Sequence, residues 1–243
     1  MKSNGRSVPA WAGQEKYGVR FQWGPLVTST LTAGVCVVVD VLRFTTAVEA
    51  AVTHGVAVYP YRWRDATAGT FADSVQAILA DGRDPSGPSL SPSSLDALTP
   101  GASLVLPSPN GSTCAILASE AGAQVVAGCL RNAEAVGAWA DKISEPVTVI
   151  ACGEKWPDGS LRPSLEDLLG AGAILATVTG NPSPEARAAI AAFRDAAHNL
   201  PEVLSQCASG RELREKGWQE DIGYAAHLNV STTVPVLANG AFR

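Results

Sequence analysis

Three short segments of the chain carry residues that could do chemistry, and each directly follows a predicted strand. Asp40 and Arg43 follow the apolar run "CVVV", "SPNGST" (108–113) follows "LVLP", and "ACGE" (151–154) completes "VTVI". Ligands of a doubly wound α/β sheet gather at the carboxyl ends of its strands. We therefore expect these three segments to meet around one binding site.

The pair Asp40 and Arg43 has two interpretations. A carboxylate at a strand end can bind a metal ion, and a guanidinium three residues later can contact a phosphate through two hydrogen bonds. Alternatively, Asp40 caps the helix that follows or forms an ion pair with Arg43. Both interpretations stay open at this point.

The segment around Asn110, Gly111 and Ser112 joins an apolar strand to a helix. Asn-Gly is a common turn dipeptide, but here it does not connect two strands. Gly111 permits close backbone approach, and the free N–H groups at the start of a helix attract anions. The pattern favours a phosphate site at this turn.

The third segment offers a thiol and two acids. Cys152 is either a nucleophile or a small buried residue. In "PSLED" (163–167), Ser164 and Asp167 approximate a capping box, and acids suit the first turn of a helix. Because Glu166 and Asp167 are adjacent on a helix, we expect at most one of them to face a site.

Several known hydrolase patterns are absent. Haloacid-dehalogenase-type enzymes need Asp-x-Asp after the first strand, but Val41 and Leu42 follow Asp40. Cysteine phosphatases need an arginine six residues after the cysteine, and Asp158 occupies that position. The three histidines show no metal-ligand spacing, which argues against a zinc hydrolase.

The elements that must position these residues alternate between strand and helix. Continuous apolar strands between Ala-rich helices predict an α/β fold with mostly parallel sheets flanked by helices. We interpret residues 1–18 as a polar N-terminal tail and 19–243 as one α/β region, arranged in one lobe or two. Helices dominate from Pro182 to Leu228, and a strand is predicted at 233–238.

Composition excludes several classes of function. The net charge is −5 and the pI about 5.2, which argues against nucleic acid or an anionic membrane as the main partner. No apolar run is long enough to cross a membrane. Five cysteines without a Cys-x-x-Cys pair predict a reducing, cytoplasmic environment. A homodimer is the default expectation for oligomeric state.

Taken together and in order, these motifs resemble the 2-phosphosulfolactate phosphatase family. The matching segments span residues 35–237. They are "VVVDVLRFTTAVEAA", "LVLPSPNGST", "GCLRNAEAV", "VIACGE", "PSLEDLLGAGAI", "SGRELREKGWQEDIGYAAHLN" and "VPVL". The resemblance implies a two-lobed α/β fold and magnesium-dependent hydrolysis of a small phosphorylated acid. In some organisms that substrate is 2-phosphosulfolactate, on the way to coenzyme M.

The resemblance also implies roles for residues of this chain. The implied catalytic residues are Asp40, Arg43, Cys152 and Glu166. The implied substrate contacts are Arg43, Asn110, Gly111, Ser112, Ser209, Gly210 and Arg211. The implied Mg²⁺ ligands are Asp40, Glu166, Asp167 and Asp221.

One segment departs from the family pattern. Family members usually carry Gly-Glu-Arg and then Gly-Asn-Ser-Pro before the "LVLPSPNGS" strand. Here "ADGRDPSGPSLSPSSL" (80–95) keeps only Arg83 and the Ser91–Pro92 pair. Three hypotheses follow: a magnesium-dependent phosphatase, a non-catalytic relative that binds an anion, and a Cys152-dependent acyl-transfer enzyme. For the phosphatase, the attacking group is Asp40, Cys152 or a metal-bound water.

Overall fold

The computed structural model describes residues 12, 14–31, 34–80, 82, 87–143 and 146–243. Most of the predicted tail, and Arg83, lie outside these residues. The strands are β1 (Val19–Trp23), β2 (Val35–Val39), β3 (Ala57–Tyr61), β4 (Ile78–Leu79), β5 (Ser103–Pro107), β6 (Gln124–Gly128), β7 (Val147–Ala151), β8 (Glu154–Lys155), β9 (Leu161–Arg162), β10 (Leu237–Ala238) and β11 (Ala241–Phe242). The α-helices are α1 (Phe44–Thr53), α2 (Thr67–Ser74), α3 (Gly111–Glu120), α4 (Ala133–Ile143), α5 (Leu165–Leu175), α6 (Pro184–Ala196), α7 (Leu200–Gln206), α8 (Ala208–Glu215) and α9 (Gln219–Ala225).

The first sheet is parallel throughout and has the order β1-β7-β2-β6. All of β2 is buried because helices cover both faces of this sheet. Val35, Val37 and Val39 pack with α4, α5 and α6 in one apolar cluster. Cys36 and Val38 point the other way and pack with α1 and α3.

The second sheet has the order β10-β11-β3-β5-β4. Its strands β3, β5 and β4 are parallel, whereas β11 runs antiparallel to β3. Val58 and Leu104 of this sheet share the cluster that contains α1 and α3. These two helices therefore lie between the sheets, and the turns that precede them face the same region.

The predicted α/β class with mostly parallel sheets is confirmed. The segment "DATAGTFADSVQAILADG" (65–82) has the composition of one helix, but α2 ends at Ser74 and Ile78–Leu79 pairs with β5 as a strand. Gln76, with φ 53°, makes the turn between them. Strand β1 was not predicted. The strand predicted at 233–238 is reduced to Leu237–Ala238, which forms a short hairpin with β11. No helix in the described part of the chain is long and apolar enough to span a membrane.

Arg131, in the segment "GCLRNAEAV", links helix α1 to helix α9. Its Nε lies 2.7 Å from Oε2 of Glu49, whose side chain is fully buried in α1. The Arg131 guanidinium also stacks on Tyr224 of α9, 3.9 Å from the ring centroid. Thr53 donates to the other Glu49 oxygen. This contact is structural, since these residues do not line the cavity described below.

We predict that Arg131→Met will lower the free energy of unfolding by about 3–5 kcal/mol, because it leaves the buried Glu49 carboxylate without its partner. Urea denaturation measures this. The matched control is Arg62→Met, which breaks the more exposed ion pair with Glu120 and should cost only about 0–1 kcal/mol. Equal effects of the two variants would contradict the structural role of Arg131.

Candidate active site

A cavity of about 340 Å³ opens where the strand ends and the turns before α1 and α3 meet. Ten of its sixteen lining residues have charged or polar side chains. The lining residues are Asp40, Leu42, Arg43, Phe44, Arg64, Leu90, Ser108, Pro109, Asn110, Glu154, Lys155, Ser209, Glu212, Leu213, Lys216 and Trp218. The three segments singled out in the sequence each contribute to this wall, as expected from the strand-end rule.

The carboxylate of Asp40 is held by the starts of two helices. Its Oδ1 accepts the N–H of Phe44 at 3.1 Å, and its Oδ2 accepts the N–H of Gly111 at 3.0 Å. The hydroxyl of Ser108 lies 3.5 Å from the same Oδ2. Asp40 therefore does cap α1, as the alternative interpretation expected, and it also faces the cavity.

Gly111 is required for this approach. A Cβ at this position would lie 2.2 Å from Cδ1 of Phe44 and 2.8 Å from Oδ2 of Asp40. Only a residue without a side chain lets α3 begin against the Asp40 carboxylate. The Gly111 N–H therefore binds Asp40 rather than a ligand.

Burial raises the pKa of Asp40 to about 7, and the nearby Glu154 adds to the shift. Glu154 is half-buried and accepts a hydrogen bond from Nδ2 of Asn110 at 2.8 Å. Its own pKa is also raised, chiefly by burial. Each of these two carboxyl groups therefore ionises less readily than it would in water, and a cation beside them would favour their ionised forms.

Arg43 lies at the start of α1 and is fixed on two sides. Its Nη1 is 2.5 Å from Oδ2 of Asp221 in α9, and its guanidinium lies 4.2 Å from the ring centroid of Trp218. Ser91 donates to the other Asp221 oxygen at 2.5 Å. One oxygen of Asp221, a predicted metal ligand, thus orients Arg43, and the other accepts the hydroxyl of the retained Ser91.

The other two predicted metal ligands lie behind the cavity wall. Asp167 accepts the N–H groups of Val41 at 2.8 Å and Gly153 at 2.9 Å, so it joins the ends of β2 and β7. Glu166 is buried and accepts a hydrogen bond from the Cys207 thiol at 3.3 Å. Among the described residues, no group of three or more His, Cys, Asp or Glu side chains is arranged to hold a metal. The predicted four-carboxylate set therefore does not converge.

Cys152 does not reach the cavity. It is buried beside Cys114, and burial raises the pKa of its thiol well above the usual value. A thiol that resists ionisation is a poor nucleophile. The surroundings of Cys152 are those of a packed core cysteine, which was the other interpretation of this residue.

Three further predicted substrate contacts have other neighbours in the structure. The Ser112 hydroxyl donates to the carbonyl of Leu106 in the core. Gly210 packs against Leu204, and Arg211 is exposed on α8 and donates to the Gln206 carbonyl. Of the predicted "SGR" segment, Ser209 alone lines the cavity, where its hydroxyl accepts a hydrogen bond from Arg162.

Sequence reasoning missed several cavity residues. Arg64 lies three residues after β3, near the carboxyl end of a strand, so the same strand-end rule would have pointed to it. Glu154 lay inside the quoted "ACGE" segment but was not singled out. No sequence pattern identified Trp218, Lys216 or Lys155 as cavity residues. Their positions depend on how the α8–α9 region and the β8–β9 hairpin pack beside the sheet ends.

Comparisons with known proteins all identify the same family of phosphatases. A family model described as 2-phosphosulpholactate phosphatase matches residues 25–240. A probable 2-phosphosulfolactate phosphatase of Thermus thermophilus is 32% identical over 216 residues, covering 84% of this chain and 87% of the relative. The 2-phosphosulfolactate phosphatase of Methanothermobacter thermautotrophicus is 28% identical over 137 residues, 56% of this chain. That alignment spans 57% of the relative's length.

We predict that Gly111→Ala will lower the free energy of unfolding by about 1–3 kcal/mol, because the added methyl group collides with Phe44 and Asp40. The control is Gly69→Ala in α2, where a Cβ meets nothing within 4 Å. Alanine there should stabilise the helix by up to about 1 kcal/mol. Chemical denaturation of both variants tests this, and a Gly111→Ala protein as stable as the wild type would refute the close approach.

Proposed function

This chain belongs to the 2-phosphosulpholactate phosphatase family, and on that premise we propose that it is a phosphoric monoester hydrolase. The substrate we propose is a small phosphorylated acid such as 2-phosphosulfolactate, which the enzyme would convert to sulfolactate and phosphate. We propose Mg²⁺ as its cofactor. Its five free, buried cysteines are compatible with a reducing compartment such as the cytoplasm.

One observation carries the proposal. Asp40, Arg43 and Asn110 come from the ends of strands in two different sheets, yet they line one cavity. A carboxylate, a guanidinium and an amide are the groups that phosphoryl transfer requires, because the transition state spreads charge over the equatorial oxygens. The cavity volume of about 340 Å³ suits a small substrate.

The donor set of the cavity fits Mg²⁺. Asp40 and Glu154 offer carboxylate oxygens, which Mg²⁺ prefers in ones or twos together with water and substrate oxygens. Both groups have raised pKa values, so a nearby cation would stabilise their ionised forms. We propose these two residues as the ligands, in place of the predicted set that included Glu166, Asp167 and Asp221. When bound, Mg²⁺ would neutralise charge on the phosphoryl oxygens.

The remaining roles follow from the contacts. Arg43, oriented by Asp221 and Trp218, would bind the phosphoryl oxygens and stabilise the charge that builds on them. Asn110, held by Glu154, would orient the phosphoryl group. Asp40 would either attack phosphorus or accept a proton from the attacking water. Both routes require its ionised carboxylate, which bound Mg²⁺ would favour.

The direct test is phosphate release from 2-phosphosulfolactate by the purified protein with added Mg²⁺ and with EDTA. We expect release only with Mg²⁺. We also expect Glu154→Gln to lower kcat/KM by roughly 10- to 100-fold and to raise the Mg²⁺ concentration needed for half-maximal rate, since one charged ligand is lost.

The matched variant is Cys152→Ser, which should keep near-wild-type turnover because the thiol lies in the core. Loss of turnover in Cys152→Ser, with indifference to EDTA, would favour the acyl-transfer hypothesis. Binding of the substrate without phosphate release would favour a non-catalytic relative. Either result would exclude the proposed reaction.

A further inference from the structure

Arg64 is a cavity residue whose role is not explained by the reaction outlined above. It lies three residues after β3, at the carboxyl end of a strand in the second sheet, and lines the same cavity as Arg43. Arg43 enters from the first sheet. The cavity therefore receives an arginine from each of the two sheets.

Arg64 has no acidic partner within the described part of the chain. Arg43 pairs with Asp221, and Lys216 pairs with Glu212 at 2.5 Å, so two of the cavity cations are already neutralised in part. Arg64 makes no ion pair or hydrogen bond with any described residue. Asp65, the next residue along the chain, instead accepts the backbone N–H of Thr67 at 2.9 Å.

The electrostatic surroundings of Arg64 favour a bound anion. Arg64 is exposed overall, but the cavity wall desolvates its guanidinium in part and lowers its pKa; among charged neighbours the strongest effect comes from Arg43, ahead of Asp40 and Glu154. Two guanidinium groups that repel each other across a cavity are stabilised when a multiply charged anion lies between them. Arginine suits this role because it stays charged and presents a planar set of donors.

The phosphoryl group is already assigned to Arg43, Asn110 and the Asp40 side of the cavity. We propose that Arg64 binds the second acidic group of the substrate, the carboxylate or sulfonate carried on the same small molecule. This inference rests on the proposed function and adds a basis for specificity. The cavity would select phosphorylated acids over phosphate esters that have no other acidic group.

The test is calorimetric binding of two probes with EDTA in place of Mg²⁺, which prevents the proposed hydrolysis: 2-phospholactate, which has both groups, and inorganic phosphate, which has one. Wild-type protein should bind 2-phospholactate more tightly. Arg64→Gln should weaken 2-phospholactate binding by roughly 10- to 100-fold, the effect of losing one charged hydrogen bond, and change phosphate binding by less than about threefold. The control Arg62→Gln, two residues away and paired with Glu120, should change neither.

Three results would overturn the assignment. Equal weakening of both probes would make Arg64 a phosphoryl-binding residue. No weakening of either would make it a solvated surface residue. Wild-type protein that binds 2-phospholactate no more tightly than phosphate would remove the second subsite. Because binding is measured without turnover, a protein that shows the expected selectivity but releases no phosphate would refute the proposed reaction alone.

Discussion

Two backbone N–H groups, those of Phe44 and Gly111, hold the buried carboxylate of Asp40, and the arrangement of the site depends on this contact. Phe44 begins α1 after a strand of the first sheet, and Gly111 begins α3 after a strand of the second. The carboxylate thereby joins the helix layer between the sheets. Its burial raises the pKa to about 7, so the ionised form needs cations nearby. The proposed Mg²⁺ would meet that need.

Asp167 has the same hydrogen-bonding pattern as Asp40 but a different position relative to the cavity. Like Asp40, it is buried and accepts two backbone N–H groups, from Val41 and Gly153. Unlike Asp40, it does not line the cavity. It joins the chain just after β2 to the chain just after β7, and so fixes the loops from which Asp40 and Glu154 emerge. One carboxylate faces the cavity, and the other supports the loops behind it.

The sequence predicts the part of the site that follows from strand ends. Asp40 and Asn110 were identified because each follows a continuous apolar strand, and ligands gather at the carboxyl ends of such strands. The sequence did not reveal that the two strands belong to different sheets. Arg64 obeys the same rule. The role of Asp221 could not be predicted, because its partners Arg43 and Ser91 are 178 and 130 residues away in the chain. Arg211 was predicted to contact the substrate, but its residue type and its place near a helix start do not reveal which face of α8 is exposed. In the structure it lies on the exposed face.

We propose that the Asp40 carboxylate takes part in the reaction, whereas the Asp167 carboxylate stabilises the fold. The most direct measurement compares turnover and melting temperature of Asp40→Asn and Asp167→Asn with Mg²⁺ present. Asp40→Asn should stay folded, because the lost hydrogen bond is offset by removal of a buried charge, and its turnover should fall at least roughly 100-fold. Asp167→Asn should keep turnover within about tenfold. Wild-type turnover in Asp40→Asn would contradict this assignment. So would a loss of turnover in Asp167→Asn that is larger than the loss in Asp40→Asn.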